Sequence, residues 1–426
     1  MKFTQRFPAL ASRDFLIFWL GQFLSMIGTW MQATTLPYLA YRLSGRPLDL
    51  GIIGFSASLP TLILALPGGV IIERLDKRKS VIFLQSLMML QAFTLAILAL
   101  TGLIQVWHII LLAFILGSAS AFEITARQSM LVELVGKPAL PNAIALQATI
   151  FNLARVLGPS LSAVVLILVK NQGEGWAFFI NGVSFLFVIV GLFFVRTPFR
   201  KEKAALENGR NSLRTEFSQG MRFIRGNTLV FSVILLAGTM GVIGFPFQQQ
   251  IPALARDILS ALGDAEEIIK ARTSSLYIAQ GVGALVAALF LSSFSRLRRT
   301  GLLLTVSNYL FALGLVVISF FPVMQAILPV VAVLGWALVT QLATMNTIVQ
   351  LEAPDALRGR VFSVYLWAIQ GVAPFGSLLI GALAQTLGIQ HTALIAGILC
   401  GIVLSLIHLR FPVIRRMKSN PEPLVD

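Results

Sequence analysis

Long uncharged apolar runs alternate with short charged segments along almost the whole chain. A helix needs about 20 apolar residues to cross the hydrocarbon core of a bilayer. Three runs are long enough for two crossings, and each has a break near its middle, at Thr101-Gly102, Phe321-Pro322 and Leu387-Gly388. The pattern therefore predicts twelve transmembrane helices. The runs, with histidine counted as neutral and one charge allowed at Arg155, cover residues 15–41, 51–72, 80–122, 138–169, 175–195, 226–255, 273–295, 300–351 and 361–409.

Lysine and arginine positions predict which way these helices face. With the N-terminus inside, 26 of the 33 basic residues fall in cytoplasmic segments, six fall on the opposite side, and Arg155 lies within a helix. Because cytoplasmic loops of membrane proteins are rich in basic residues, we expect both termini in the cytoplasm. The first apolar run is too long for a signal-peptide core and is followed by no small-residue cleavage site, so we expect it to stay in the mature protein.

The two halves of the chain echo one another. The segment 137–142 (Lys-Pro-Ala-Leu-Pro-Asn) is echoed by 354–359 (Pro-Asp-Ala-Leu-Arg-Gly), 217 residues later. The segment 157–160 (Leu-Gly-Pro-Ser) is echoed by 372–375 (Val-Ala-Pro-Phe), 215 residues later. We therefore predict an all-α membrane protein of two parallel six-helix repeats. The expected domains are an N-terminal six-helix bundle (1–195), a cytoplasmic central loop (196–225), and a C-terminal six-helix bundle with a short cytoplasmic tail (226–426).

The central loop contains its own amphipathic pattern. Leu213, Phe217, Met221 and Ile224 recur at helical spacing among basic residues. An amphipathic basic helix of this kind is typical of the membrane surface, so we predict a short helix lying on the inner leaflet.

Composition excludes an ordinary soluble protein. The chain is 57% apolar and 12% charged, against about 25% charged in soluble domains. The formal charge of +15 is interpreted as loops held against an anionic leaflet rather than as a nucleic-acid surface. The single cysteine, Cys400, permits no intramolecular disulfide and no thiolate metal cluster, and we expect it to be buried. We find no phosphate-binding Gly-x-x-x-x-Gly-Lys motif, and we expect no cofactor and no metal.

The loop after the second predicted helix contains a motif with a physical role. It has Gly69, then Glu73-Arg74, then Lys77-Arg78-Lys79. Glu73 can pair with basic residues or face a helix N-terminus, and so latch neighbouring helices. The motif and the two-half architecture resemble the major facilitator superfamily. Glu73 stands where that superfamily usually has Asp, and Asp76 where it usually has Gly. The simpler interpretation is a basic cytoplasmic loop.

The fifth predicted helix contains Gly158-Pro159, which resembles the antiporter motif of exporters in the superfamily. Ala154 and Ser162 stand where the fuller motif has glycine, so the match is partial. Segments spread over both halves resemble the enterobactin-exporter and macrolide-efflux branch. That resemblance implies outward transport of a small amphipathic molecule. The segments are 25–32, 126–128, 142–143, 155–159 and 358–361.

Two ionisable residues other than histidine lie clearly inside predicted helices. A charge at membrane depth costs at least ~2.5–3.5 kcal/mol and is a functional hypothesis by default. Arg155 lies near or somewhat past the midplane. It could bind an anionic group of the substrate or interact with a proton-carrying carboxylate, or it could anchor its helix through backbone carbonyls and Asn152. Glu123 could be the coupling carboxylate, or it could simply pair with Arg127 one turn away.

Uncharged polar and aromatic side chains complete the set of candidates. In the first half we add Gln22, Thr29 and Trp30. Residues of the second half that suit a cavity for an amphipathic ligand are Gln248, Gln280, Gln341, Asn346, Tyr365 and Gln370. The three histidines, His108, His391 and His408, lie near helix ends, and we expect them to be interfacial rather than ligands.

These observations predict a transporter of the inner membrane that exports a small siderophore- or drug-like molecule against proton entry. Its expected partners are the substrate, protons and lipids, with no nucleic acid, and we expect a monomer. An importer or a lipid flippase on the same fold remains open. A non-transporting membrane sensor also remains open, although it would normally need an output domain. An intramembrane enzyme would need paired catalytic groups at membrane depth, which the single carboxylate and the lack of a mid-helix histidine argue against.

Overall fold

Almost all of the described chain is helical, and the described residues contain no strand. The computed structural model describes residues 8–169, 171–198, 209–259, 265–293, 300–354 and 357–417. Within the helices, the side chains that lie outside the described part are those of 65–70, 73, 74, 137, 141, 209–217, 292, 293, 358, 359 and 416.

The chain divides into two compact units. The first consists of Met1–Gly45 and Ile52–Gly209, and the second of Arg46–Gly51 and Arg210–Asp426. A single 3-10 turn, Pro8–Ala11, precedes the first long helix. The helices up to the central loop are α1 (Arg13–Ser44), α2 (Pro47–Arg74), α3 (Lys77–Leu100), α4 (Val106–Gly136), α5 (Pro138–Leu168) and α6 (Gly173–Phe194).

The remaining helices are less regular. Single π-helical turns interrupt them at Met240–Gly244, Leu254–Ile258 and Trp367–Gly371. The helices are α7 (Gly209–Gly226), α8 (Thr228–Gln248), α9 (Glu266–Ser293), α10 (Thr300–Phe320), α11 (Met324–Glu352), α12 (Arg358–Leu366), α13 (Ala373–Arg410, kinked at Gly388) and α14 (Val413–Arg416).

Ten helices in the described part are long and apolar enough to cross a membrane. The last of them runs over 51 residues, Arg360–Arg410, which at 1.5 Å per residue is roughly 77 Å, more than two hydrocarbon cores. The kink at Gly388 divides it where the sequence predicts two crossings. Helix α1 is not among the ten, although it has 32 residues. It buries Gln22, Gln32 and Thr35, and these polar residues lower its mean hydropathy. Twelve crossings remain a prediction.

Helices α4 and α5 follow one another without a loop. Gly136 has φ 73° and ψ 163°, outside the helical region, while its neighbours on both sides are helical. A positive φ is accessible to glycine at little cost, and Pro138 suits the first turn of the next helix. The chain therefore reverses over two residues.

Close approach of helices recurs in both units. In the first unit α1 packs against the α4–α5 pair and α6, and a Cβ added at Gly158 would lie 2.4 Å from Trp30 Cβ. In the second, α13 packs against α8, and a Cβ added at Gly376 would lie 2.3 Å from the carbonyl oxygen of Val242. These are the first and fifth predicted helices of each half, a correspondence that supports the predicted repeat.

Candidate functional site

Arg155 lies on α5 beside an aromatic pair. Its guanidinium carbon is 5.8 Å from the centroid of the Trp30 ring. The Trp30 ring meets Phe151 edge to face at 5.7 Å. Close packing of α5 on α1 at Gly158 places the two helices in register for this contact. A half-buried guanidinium over an indole face can accept an anionic or planar group from a ligand.

Two of the other predicted residues of the first unit, Asn152 and Thr29, have partners on their own helices. Asn152 Nδ2 donates to the carbonyl oxygen of Ala148, 2.8 Å away, and Thr29 Oγ1 donates to that of Ser25 at 2.9 Å. Both hydrogen bonds reach one turn back along the residue's own helix. Gln22 is buried, and its Oε1 has no hydrogen-bond partner among the described residues. Gln22 therefore differs from Asn152 and Thr29 in having a buried polar atom without a hydrogen-bond partner there.

Glu123 is the centre of a buried polar cluster. Arg127 Nε donates to its two carboxylate oxygens at 3.2 and 3.4 Å, the i,i+4 pair that helix geometry allows. Gln85 Nε2, on α3, donates to Glu123 Oε1 at 3.0 Å. Arg127 Nη1 donates to Gln147 Oε1 on α5 at 3.4 Å. Sequence analysis identified Glu123 and Arg127 but missed both glutamines.

A second buried network also escaped the sequence analysis. Asn181 Nδ2 on α6 donates to Gln32 Oε1 at 2.8 Å, and Gln32 Nε2 donates to Gln91 Oε1 at 3.2 Å. All three side chains are buried. The only sequence signal was an amide within an apolar run. Hydrogen bonds between amides of α1, α3 and α6 fix the packing of these helices, although Gln91 Nε2 has no partner among the described residues.

Two of the predicted residues in the second unit share one pocket. Gln248 and Gln280, both half-buried, line it together with apolar side chains of α8, α10 and α11 and of the segment after α8. The apolar lining residues are Phe247, Ile251, Leu254, Phe311, Ile318, Val331 and Leu334. The aliphatic and aromatic lining suits the apolar part of an amphipathic molecule, and the two amides are its polar groups.

The remaining predicted residues of the second unit do not line that pocket. Gln341 is fully buried and its Nε2 donates to the carbonyl oxygen of Ser307 at 2.9 Å. The hydroxyl of Tyr365 donates to the carbonyl oxygen of Leu342 at 3.3 Å. Asn346 Oδ1 accepts a close hydrogen bond from Gln350 Nε2, and Gln370 is exposed on the π-helical turn Trp367–Gly371.

The predicted latch is only partly described. The side chains of Glu73 and Arg74 lie outside the described part, and Gly69 lies within α2. Arg78 Nη2 donates to the carbonyl oxygen of Phe193 at 3.1 Å and so joins the start of α3 to the end of α6.

Neighbouring residues of the same motif form contacts of their own. Asp76 caps α3 by accepting from the backbone amide of Lys79 at 3.0 Å. The ion pair observed beside the motif joins Lys77 to Glu133 on α4 at 2.5 Å.

Asp14 is a carboxylate just before the first predicted span. Its Oδ2 accepts from the amides of Arg196 and Thr197 and from the Thr197 hydroxyl, at 2.9, 2.8 and 2.7 Å. Partial burial raises the pKa of Asp14, but these three hydrogen bonds together lower it below its usual value. Asp14 therefore stays ionised at neutral pH and is not suited to carry a proton.

Two expectations about particular residues need correction or comment. His408 is fully buried, with Nε2 3.5 Å from Asn308 Nδ2 and its ring stacked on Tyr309, so it is not interfacial. The position of His408 near the end of a predicted span did not reveal that its side chain faces the interior of the protein.

Ile224 of α7 was expected on the membrane surface, but it is only 1% exposed and is buried within the protein. Gln219 of the same helix contacts Arg360. Among the described residues, no group of three His, Cys, Asp or Glu side chains could hold a metal.

Comparison with known proteins identifies transporters throughout. The family described as transmembrane secretion effector matches residues 4–425. The multidrug efflux pump Tap of Mycolicibacterium fortuitum is 23% identical over 93% of this chain and 95% of its own. The enterobactin exporter EntS of Citrobacter koseri is 23% identical, covering 96% and 94%. Macrolide efflux protein A of Streptococcus pyogenes is 21% identical, covering 90% and 93%.

Solved structures show the same fold. A point mutant of the nucleoside transporter NupG matches with a TM-score of 0.70 at 14% identity, covering 94% of this chain and 100% of that one. A bacterial homologue of the human lysosomal transporter Spinster, inward-facing and unoccupied, matches with a TM-score of 0.67 at 13% identity, covering 96% and 98%. At such identities the likeness concerns the fold alone.

Proposed function

We propose, because the chain belongs to the transmembrane secretion effector family of the major facilitator superfamily, that it exports a small amphipathic molecule across the inner membrane by proton antiport and alternating access. Relatives named as exporters of enterobactin, macrolides and several drugs support a siderophore- or drug-like substrate.

The observation that carries the proposal is that the first unit contains both a buried carboxylate, Glu123, and a deep cation, Arg155. Glu123 is 4% exposed and is the carboxylate to which we assign the coupling proton. Arg155, half-buried over Trp30, can bind an anionic or planar part of the substrate. In antiport, proton and substrate bind in turn to the same group of helices. Glu123 on α4 and Arg155 on α5 meet this condition, because the two helices join at Gly136 without a loop.

The second unit has an apolar pocket of its own. Its aliphatic and aromatic lining suits an apolar group, and Gln248 and Gln280 supply its two amides.

The test is transport in everted membrane vesicles. A panel of siderophore-like and drug-like compounds is offered with an imposed proton gradient, and again after the gradient is collapsed with an ionophore. We expect uptake of at least one compound that depends on the gradient, and loss of that dependence in Glu123→Gln. The matched control is Glu267→Gln, which neutralises an exposed carboxylate of α9. Gradient-independent uptake would overturn antiport, and movement of labelled phospholipid alone would favour a flippase.

A further inference from the structure

The cluster around Glu123 is assembled from three helices of the first unit. Gln85 comes from α3, Glu123 and Arg127 from α4, and Gln147 from α5. Gln85 is 1% exposed and Glu123 is 4% exposed. The cluster is therefore a closed polar site within apolar helices rather than a surface ion pair.

Both glutamines of the cluster use only half of their hydrogen-bonding capacity. Gln85 gives its N–H to Glu123, and its Oε1 is buried with no hydrogen-bond partner among the described residues. Gln147 gives its oxygen to Arg127, and its Nε2 is likewise buried with no partner there. A buried amide usually satisfies both ends. Here Gln85 turns its N–H end to the ionised carboxylate, and Gln147 turns its oxygen to the guanidinium.

The chemistry of the carboxyl group suggests a use for the unpartnered oxygen, Oε1, of Gln85. An ionised carboxylate only accepts, so it needs the N–H end of the amide. A protonated carboxyl has one O–H donor, which needs an acceptor. A side-chain amide offers both, and rotation of its terminal torsion by about 180° exchanges them.

We propose that Gln85 is a positioning residue that changes its hydrogen-bonding end with the protonation of Glu123, so that the incoming proton is held between the two side chains. A hydronium ion transfers its proton to one carboxylate oxygen of Glu123 and leaves as water, and the new O–H donates to Gln85 Oε1 after the amide rotates. No other bond forms or breaks. The charge of the Glu123–Arg127 pair rises by one.

The consequence passes to α5 through Arg127. With Glu123 neutral, the strongest partner of the Arg127 guanidinium is lost, and its contact to Gln147 Oε1 remains. The main contact of the Arg127 guanidinium is then the one to α5 rather than the one within α4. This inference rests on the proposed proton antiport and adds the residue that would sense the proton.

Other charged groups on the packed helices have partners elsewhere or lie at helix ends. Lys77 of α3 pairs with Glu133, and Arg78 donates to the carbonyl of Phe193. Asp14 of α1 binds the amides of residues 196 and 197. Arg42 of α1 pairs with Glu174 of α6 at 3.0 Å. Arg13 and Lys79 lie at helix ends, Lys137 lies between α4 and α5, and Arg155 lies over the Trp30 ring.

The test is infrared difference spectroscopy of the purified full-length protein in proteoliposomes, recorded between low and high pH without any substrate. In the wild type we expect a carboxylic acid C=O band, lost in Glu123→Gln, together with a glutamine side-chain amide band. In Gln85→Leu the amide band should disappear and the C=O band should move to higher wavenumber, because the acid has lost its acceptor. Gln85→Met, unbranched like glutamine, is the second variant in case Leu does not fold.

The matched control is Gln91→Leu, which makes the same change at another buried glutamine of α3 that contacts Gln32 instead. It should leave both bands in place. An unchanged amide band and an unshifted C=O band in both Gln85 variants would overturn the role of Gln85, even if transport proved to be proton-driven. Absence of a Glu123 band in the wild type would also overturn it. Bands as expected with normal gradient-dependent uptake in Glu123→Gln would support Gln85 as the sensor while refuting Glu123 as the coupling carboxylate.

Discussion

At the scale of single residues, Arg155 and Glu123 differ in the contacts that accommodate their charges within the membrane. Glu123 forms an ion pair with Arg127 on its own helix and accepts a hydrogen bond from an amide of α3. Arg155 lies over the face of Trp30. The carboxylate is held by partners from the protein, whereas a guanidinium over an aromatic ring suits a site that receives a ligand.

Substitution of Arg155 distinguishes a binding role from an anchoring role. Arg155→Lys keeps the charge but loses the planar donor fork, and Arg155→Gln loses both. We expect graded loss of transport per folded molecule, milder for Lys and about tenfold or more for Gln, since a charged hydrogen bond contributes roughly 1.5–3 kcal/mol. Protein level and thermal stability in detergent should stay normal.

The anchoring alternative predicts a different pattern. If Arg155 only holds α5 in place, both variants should lose expression or stability. Wild-type transport per folded molecule in Arg155→Gln would end the case for a ligand role.

At the scale of helices, contact between α1 and α5 depends on the absence of a side chain. A Cβ at Gly158 would lie 2.4 Å from Trp30 Cβ and 2.9 Å from the Met31 amide nitrogen. Contacts this short with backbone can be relieved only by moving a helix, because the backbone of α1 has no rotamer to change. The seam therefore fixes the position of Trp30 relative to Arg155.

Gly158→Ala should consequently lower stability and transport together. Overpacking of a tight interior typically costs about 1–3 kcal/mol, which should appear as a lower thermal midpoint in detergent. Gly401→Ala is the matched control, since a Cβ there would come no nearer than 3.9 Å to Ala312 Cβ. Equal midpoints for the two variants would show that the seam yields without strain.

The start of α3 provides the second test at this scale. Arg78→Ala removes the hydrogen bond to the end of α6, and Glu73→Ala tests the predicted latch. We expect both to slow transport while leaving membrane insertion intact, because the balance between conformations shifts. Lys79→Ala, which removes a neighbouring exposed charge, is the control. Wild-type rates in the first two variants would reduce the motif to a basic loop.

At the scale of the whole molecule, the charge distribution predicts topology. Basic residues divide 26 to six between the predicted sides. A reporter fused after Asp426 or within 202–211 should therefore be cytoplasmic, and one near Asp264 should lie on the opposite side. Alkaline phosphatase and fluorescent-protein fusions measure the two cases. A C-terminus on the outer side would refute the twelve-helix topology.

The helices could be predicted from the sequence because length and hydropathy decide which segments prefer lipid. The Glu123–Arg127 pair could also be anticipated, since helix geometry places residues four apart together. Gln85 and Gln147 could not, because a helix apolar all round gives no signal for which face turns toward a neighbour. The burial of His408 was missed for the same reason.

The two-residue reversal at Gly136 also bears on how the protein is made. With no loop between them, α4 and α5 offer the ribosome and the insertion machinery no point at which one helix could settle in lipid while the next is still being synthesised. We expect the pair to enter the bilayer as a hairpin. The apolar surface of α4 would then accompany Arg155 into lipid, which lowers the penalty that α5 would meet if it had to insert alone.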